Sequence, residues 1–333
     1  MSTVRHELRT TPDVHSRPSV IDCLPHDEQR EREALVAGLL TRPATIPPKY
    51  FYDALGCALF TAICELPEYY PTRTERAIFE ARRDEIAGRV GRGLQLVDLG
   101  AGDGRKAQAW FAALAPSRYV AVDIAPAALS PLLEHLALEH PALPCCGILA
   151  DFTAEPVFLR ALPRAPTLFF YPGSSIGNFT PAEAEAFVAA LRAWCADVGG
   201  ASGVLVGVDT DKDAARLEAA YDDALGVTAA FNRNVLCHVN RILDSDFDPK
   251  GFAHRAAYDV RAGRVDMHLE AQRAQDVRID HRVRTFAAGE RIHTESSYKY
   301  VPDAFSALLG RAGFTSVSCW QDEARDFAVF HAR

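Results

Sequence analysis

The chain has 333 residues, with 36 Lys plus Arg against 44 Asp plus Glu, a net charge of −8 and an isoelectric point near 5.8. No basic excess exists to neutralise a phosphate backbone, which excludes a generic nucleic-acid binder. Hydrophobic residues at 48% and charged residues at 24% suffice for one large domain or two smaller ones, and the longest uncharged stretch, 165–182, is broken by Pro172, Gly173, Gly177 and Asn178, so no membrane span is expected.

Residues 1–30 are polar and charged (His6, Glu7, Arg9, Asp13, Asp22, Asp27 and Glu28) and lack the apolar run of a secretory signal; they read as a flexible tail on a cytoplasmic protein. The eight cysteines are scattered without a C-x-x-C pair, so reduced and mostly buried thiols are expected. His135 and His140 are five apart rather than four, and no metal site is expected.

From residue 94 onward short apolar runs alternate with helical segments, the pattern of a parallel sheet covered on both faces. Strands are predicted over 94–99, 119–124, 147–150, 167–171 and 203–208, with helices over 105–114 and 126–138. Thr180, Pro181 and Glu183 form a capping box, and Phe187, Val188, Leu191, Trp194 and Cys195 share one face of the helix that follows. After Asp209 the alternation stops: 211–225 and 229–242 look helical, and 256–279 reads as a β-hairpin turning at Arg261, Ala262 and Gly263. It resumes with a helix over 302–312 and two closing strands, 316–320 and 326–330, so the intervening block reads as an insertion.

The first strand of this series runs into Asp98-Leu99-Gly100-Ala101-Gly102-Asp103-Gly104-Arg105-Lys106. Glycines there let the backbone turn sharply and let a ligand approach the main chain. A dinucleotide fingerprint wants its third glycine at position 105, which holds Arg105, so the spacing favours S-adenosylmethionine over a nicotinamide cofactor. Asp123, ending the next strand, is placed to accept from ribose hydroxyls, and Asp151-Phe152 after the third suits an adenine ring. Lys106 is either a cofactor contact or a solvated helix residue. The plain structural alternatives are a tight turn for Gly100, a helix cap for Asp123 and core packing for Phe152.

Six further motifs stand in order: Pro48-Lys49-Tyr50-Phe51-Tyr52-Asp53, Leu66-Pro67-Glu68-Tyr69-Tyr70-Pro71-Thr72-Arg73, Gly173-Ser174-Ser175-Ile176-Gly177-Asn178, Ala220-Tyr221-Asp222-Asp223, Phe231-Asn232-Arg233-Asn234 and Thr294-Glu295-Ser296-Ser297. With them the chain, from about Pro47 to its end, resembles the histidine Nα-methyltransferases of ergothioneine biosynthesis. Tyr50 departs from the tryptophan of many members. The resemblance implies an α/β fold: a Rossmann-like S-adenosylmethionine-dependent methyltransferase sheet with an inserted α+β substrate domain. It divides the chain into a substrate-binding domain over 31–74 and 210–297 and a methyltransferase domain over 75–209 and 298–333.

The glycine turn and the strand ends make Gly100, Gly102, Lys106, Asp123, Asp151 and Phe152 the expected cofactor contacts, and the resemblance supplies the substrate side. Tyr69, Asn178 and Tyr221 become holders of the substrate carboxylate, Glu295 and Ser297 readers of the imidazole ring, Met267 a ring-lining residue and Tyr52 the residue beside the amine. A carboxylate for one imidazole N–H and a hydroxyl for the other nitrogen would select histidine over a plain aromatic side chain. The implied reaction is trimethylation of free L-histidine to the betaine hercynine, the first step toward ergothioneine. Its partner is the small-molecule substrate, without nucleic acid or membrane, and a monomer is the working expectation. The alternatives are a relative acting on another amino acid, a nicotinamide-dependent oxidoreductase and a non-catalytic adenosyl-ligand module.

Overall fold

The computed structural model describes residues 19–24, 28–154 and 156–333. The predicted tail therefore lies outside the described residues over 1–18 and 25–27. Within it one correction is needed: Ser19–Asp22 form strand β1, and helix α1 (Glu28–Leu40) begins before residue 30. Strand β1 is held by the main-chain edge of a neighbouring strand rather than by side-chain burial, so no apolar pattern announces it. Strand β2 (Ala44–Thr45) and helices α2 (Ala54–Ile63), α3 (Tyr70–Ala81) and α4 (Arg83–Val90) lead into the main alternation.

That alternation runs β3 (Gln95–Leu99), α5 (Arg105–Gln108), α6 (Phe111–Leu114), β4 (Arg118–Asp123), α7 (Pro126–Glu139), β5 (Cys145–Leu149), β6 (Thr167–Tyr171), α8 (Pro181–Val198) and β7 (Gly203–Asp209). The single helix expected over 105–114 is two short ones, turning at Ala109 and Trp110. The buried Trp110 indole packs edge-on against Phe79, 5.1 Å between centroids, and this tertiary contact overrides helix continuity. Helix α8 starts as its capping box predicts: Thr180 Oγ1 accepts from Glu183 N–H (3.3 Å), and the Glu183 carboxylate accepts from Thr180 N–H (2.8 Å).

After β7 come α9 (Ala214–Tyr221), α10 (Val227–Leu243), β8 (Phe252–Asp259), β9 (Arg264–Ala271), β10 (Gln275–Ile279), β11 (Arg282–Phe286), β12 (Arg291–Tyr298), α11 (Pro302–Arg311), β13 (Val317–Gln321) and β14 (Phe327–Ala332). The hairpin predicted over 256–279 turns where expected but ends at Ala271; β10 belongs to a second hairpin with β11.

The main sheet has eight strands in the order β1-β5-β4-β3-β6-β7-β14-β13, with β14 alone running opposite to the others and therefore antiparallel to both of its neighbours. Alternation along β3 sends Val97 and Leu99 to one face, where they meet Phe187 and Leu191 of α8, and Leu96 to the other, against Phe79, Trp110 and Leu129. Strand order reverses between β3 and β6, which opens a ligand crevice at the carboxyl ends of the strands. A four-stranded sheet, β2-β12-β9-β8, packs with α10 around a third core containing Phe51, Phe231, Val235, Leu269 and Ile292. The eight cysteines are free, but Cys195 alone of them is buried and Cys319 is exposed, which corrects the expectation of mostly buried thiols.

Candidate active site

The glycine turn after β3 needs its glycines. Gly100, Gly102 and Gly104 have φ of 75°, 53° and 68°, the left-handed region that side chains disfavour. A Cβ at Gly100 or Gly102 would meet nothing within 4 Å, so the main chain borders an open cradle. Asp123 shapes it: its Oδ2 accepts from Gly102 N–H and its Oδ1 from Ala125 N–H, both at 2.8 Å. Burial raises the pKa of this carboxyl, against the pull of those N–H groups.

Asp151 and Phe152 follow β5, next to β4 in the sheet. Asp151 Oδ1 accepts from Thr153 N–H at 3.0 Å and from its hydroxyl at 2.5 Å, and the half-buried Phe152 ring meets Tyr171 edge-on at 5.7 Å. Lys106 reaches across to Glu75, at 2.7 Å, whose other oxygen accepts from Gly173 N–H at 2.7 Å. Burial opposes the Lys106 charge, but Glu75 outweighs it and the ammonium pKa is raised.

Tyr52, Tyr69, Asn178, Tyr221, Met267, Glu295 and Ser297 all line one cavity. They come from sequence positions more than two hundred residues apart, so the fold gathers every residue placed on the substrate side. Asn178 ends a 3-10 turn, Ser175–Asn178, that follows Gly173 (φ 79°) and Ser174 (φ 60°). A non-glycine residue in that region is strained, and here the Ser174 hydroxyl accepts from Asp209 N–H at 2.8 Å, which pins the loop.

Glu295 and Ser297 owe their orientation to a bulge. The β12–β9 register shifts between His293 and Glu295, so buried Ile292 and Thr294 are followed by buried Glu295 and Ser297. Strict alternation from Ile292 would have turned Ser296 inward in their place. Met267 is the cross-strand partner of Glu295.

The cavity and the cradle both lie within a stretch that matches a known family. The family described as histidine-specific methyltransferase, SAM-dependent, matches residues 31–333. The chain belongs to this family.

A histidine N-alpha-methyltransferase of Mycobacterium tuberculosis (strain CDC 1551 / Oshkosh) is 39% identical over 90% of this chain and 93% of its own length. The enzyme of the same name from Mycolicibacterium smegmatis (strain ATCC 700084 / mc(2)155) is 40% identical over the same shares. Ergothioneine biosynthesis protein 1 of Neurospora crassa is 29% identical over 84% of this chain and 32% of its own length.

Behind the cavity of this histidine-specific methyltransferase lies a buried charge network that the sequence reading missed. Asp209, at the carboxyl end of β7, accepts from the Tyr70 hydroxyl (2.8 Å to each oxygen), from Lys212 (2.5 Å) and from Lys299 (2.9 Å). Burial disfavours its charge, yet Lys299 and Lys212 hold its pKa below the usual range. A legible signal existed for Lys299, which continues the inward alternation of Glu295 and Ser297. The aromatic wall was missed as well: Phe60 sits 6.0 Å from Tyr52 and 6.2 Å from Tyr69, and Phe231 lies 6.1 Å from Tyr52.

Burial raises the pKa of Tyr52, Tyr69 and Tyr221, so all three phenols face the cavity as neutral hydroxyls. Glu295, 8% exposed, is pushed from 4.5 up to about 7 by burial, with Lys299 opposing. A carboxyl whose folded pKa is raised stabilises the fold fully below the unfolded value and loses that contribution as pH climbs to about 7. At pH 8 the ionised, buried Glu295 should therefore cost about 3 kcal/mol. Glu295→Gln should stabilise the empty enzyme by that order at pH 8 and by little at pH 5, measured by denaturant unfolding at both. An equal gain at the two values would mean that Glu295 does not titrate in this window.

Proposed function

We propose that this chain methylates the α-nitrogen of free L-histidine with S-adenosylmethionine as donor, ending at the trimethylated betaine hercynine, the first step toward ergothioneine. The observation that carries the reading is the placement of Glu295 and Ser297 side by side in one cavity with Tyr69, Asn178 and Tyr221. Three neutral donors can clamp a carboxylate, and a carboxylate beside a hydroxyl can read both ring nitrogens. The name of the Neurospora crassa relative supports the pathway.

The open cradle fits the donor: the main chain of Gly100 and Gly102 would hold it, Asp123 would accept from its ribose, and Asp151 and Phe152 would receive its adenine. When bound, S-adenosylmethionine supplies an electrophilic methyl group. Tyr69, Asn178 and Tyr221 hold the substrate so that its amine lies in line with that methyl, and the aromatic wall keeps water out. A free α-amino group has a pKa of roughly 8, so a useful fraction is unprotonated near neutrality without a strong base. Tyr52 then contributes a neutral hydroxyl and a ring face to the growing ammonium rather than a proton acceptor. Residues 31–74 and 210–297 serve as the substrate domain, 75–209 and 298–333 as the methyltransferase domain, in a cytoplasmic enzyme that works as a monomer without metal.

Incubation with S-adenosylmethionine and each amino acid, read by mass spectrometry, should give three methyl additions on histidine. Histidine methyl ester and histidine within a peptide should react poorly, because neither offers the free carboxylate. Equal turnover of the peptide would sink the reading, and methylation of a different amino acid would move the assignment to another member of the class.

A further inference from the structure

We propose that Lys299 is a positioning residue that joins the carboxylate contact Tyr221 and the ring contact Ser297 into one hydrogen-bonded unit. The inference rests on the histidine reading above and adds to it a residue that does not touch the substrate.

The Lys299 side chain has no exposed surface. Its ammonium lies 2.9 Å from each of three oxygens: Asp209 Oδ2, the Tyr221 hydroxyl and Ser297 Oγ. Those are all the donors an ammonium has, so none is left for the cavity. Asp209 keeps the lysine charged and ties it to the end of β7, where Tyr70 and Lys212 hold the carboxylate in turn.

Counting protons shows what this does. Tyr221 O–H donates to Ser297 Oγ at 2.7 Å, and each of the two oxygens also accepts from Lys299. The two hydroxyls carry two protons, and one is used between them. A single donor is left for the cavity. In the arrangement described it belongs to Ser297, which suits an unprotonated ring nitrogen. For Tyr221 to donate to a substrate carboxylate, the shared bond must reverse, and Ser297 then meets the ring as an acceptor. The choice made at one end of the substrate dictates the other, because Lys299 occupies the lone pairs through which each hydroxyl could otherwise reorient alone.

The test is a double-mutant cycle on kcat/KM for histidine, with Tyr221→Phe and Ser297→Ala, run with Lys299 present and again in Lys299→Met. With Lys299 the combined loss should differ from the product of the single losses by about fivefold or more. In Lys299→Met the coupling should shrink by about threefold, to what the direct Tyr221–Ser297 bond carries alone. That variant should also raise KM for histidine about tenfold and leave S-adenosylmethionine affinity, measured by calorimetry, where it was. Should it fail to fold, Lys299→Gln, a neutral donor of shorter reach, takes its place. Multiplicative losses with Lys299 present, or coupling of undiminished size without it, would overturn the proposal. A wild-type enzyme that leaves histidine unmethylated would instead overturn the histidine reading, and this inference with it.

Discussion

Glu295→Gln should lower kcat/KM for histidine by about tenfold or more while S-adenosylmethionine affinity stays unchanged. Among the described residues no hydrogen bond reaches the Glu295 carboxylate; Lys299 acts on it through its charge, and its pKa sits at about 7. An imidazole N–H would supply the missing partner, and a charge-assisted hydrogen bond in a buried site contributes roughly 1.5–3 kcal/mol. Glutamine keeps the size and an acceptor oxygen but loses the charge, so the penalty should fall on histidine alone. Changing Glu295 and Ser297 together to apolar residues removes both polar partners and should let the cavity, already walled by Phe60, Phe231 and Met267, admit phenylalanine. The measurement is the ratio of kcat/KM for histidine to that for phenylalanine across the series. A ratio that does not move would make Glu295 a structural carboxylate.

Asp123→Ala should weaken S-adenosylmethionine binding by about 1–3 kcal/mol, roughly thirtyfold at the middle of that range, and should also lower thermal stability. The second effect follows from the structure. The carboxylate takes the Gly102 and Ala125 N–H groups, so alanine leaves both without their acceptor and frees a turn that depends on left-handed glycines. Asp123→Asn can replace one acceptor, so it should recover part of the stability and less of the affinity. Calorimetry and thermal unfolding on the same samples separate the two. Unchanged affinity in Asp123→Ala, or tight NAD binding by the wild type, would contradict the cofactor assignment.

Much of the main sheet was legible because its signals are local. Apart from Thr167, residues 167–171 and the strand over 203–208 are apolar, as strands covered on both faces tend to be, and the Thr180 capping box is complete within four residues. The glycine turn is equally local, since a left-handed φ is a property of one residue. The resemblance, rather than any pattern of burial, is what singled out Tyr69, Asn178, Tyr221, Glu295 and Ser297. Their assembly in one cavity makes that selection physically coherent.

The amino-acid sequence by itself determined the strand–helix alternation, the cradle after β3 and the class of ligand that cradle suits, because backbone sterics and apolar periodicity act over a few residues. Only the tertiary structure decided the rest. Strand β1 exists through main-chain bonds to β5, and the break between α5 and α6 follows the seat of the Trp110 indole. The aim of Glu295 follows from a bulge set by pairing with β9. Lys299 acquires its place from Asp209 and Tyr221, residues brought to it from two other elements. A buried ammonium is tolerable only where such partners converge, and that convergence depends on contacts between distant segments rather than on local sequence.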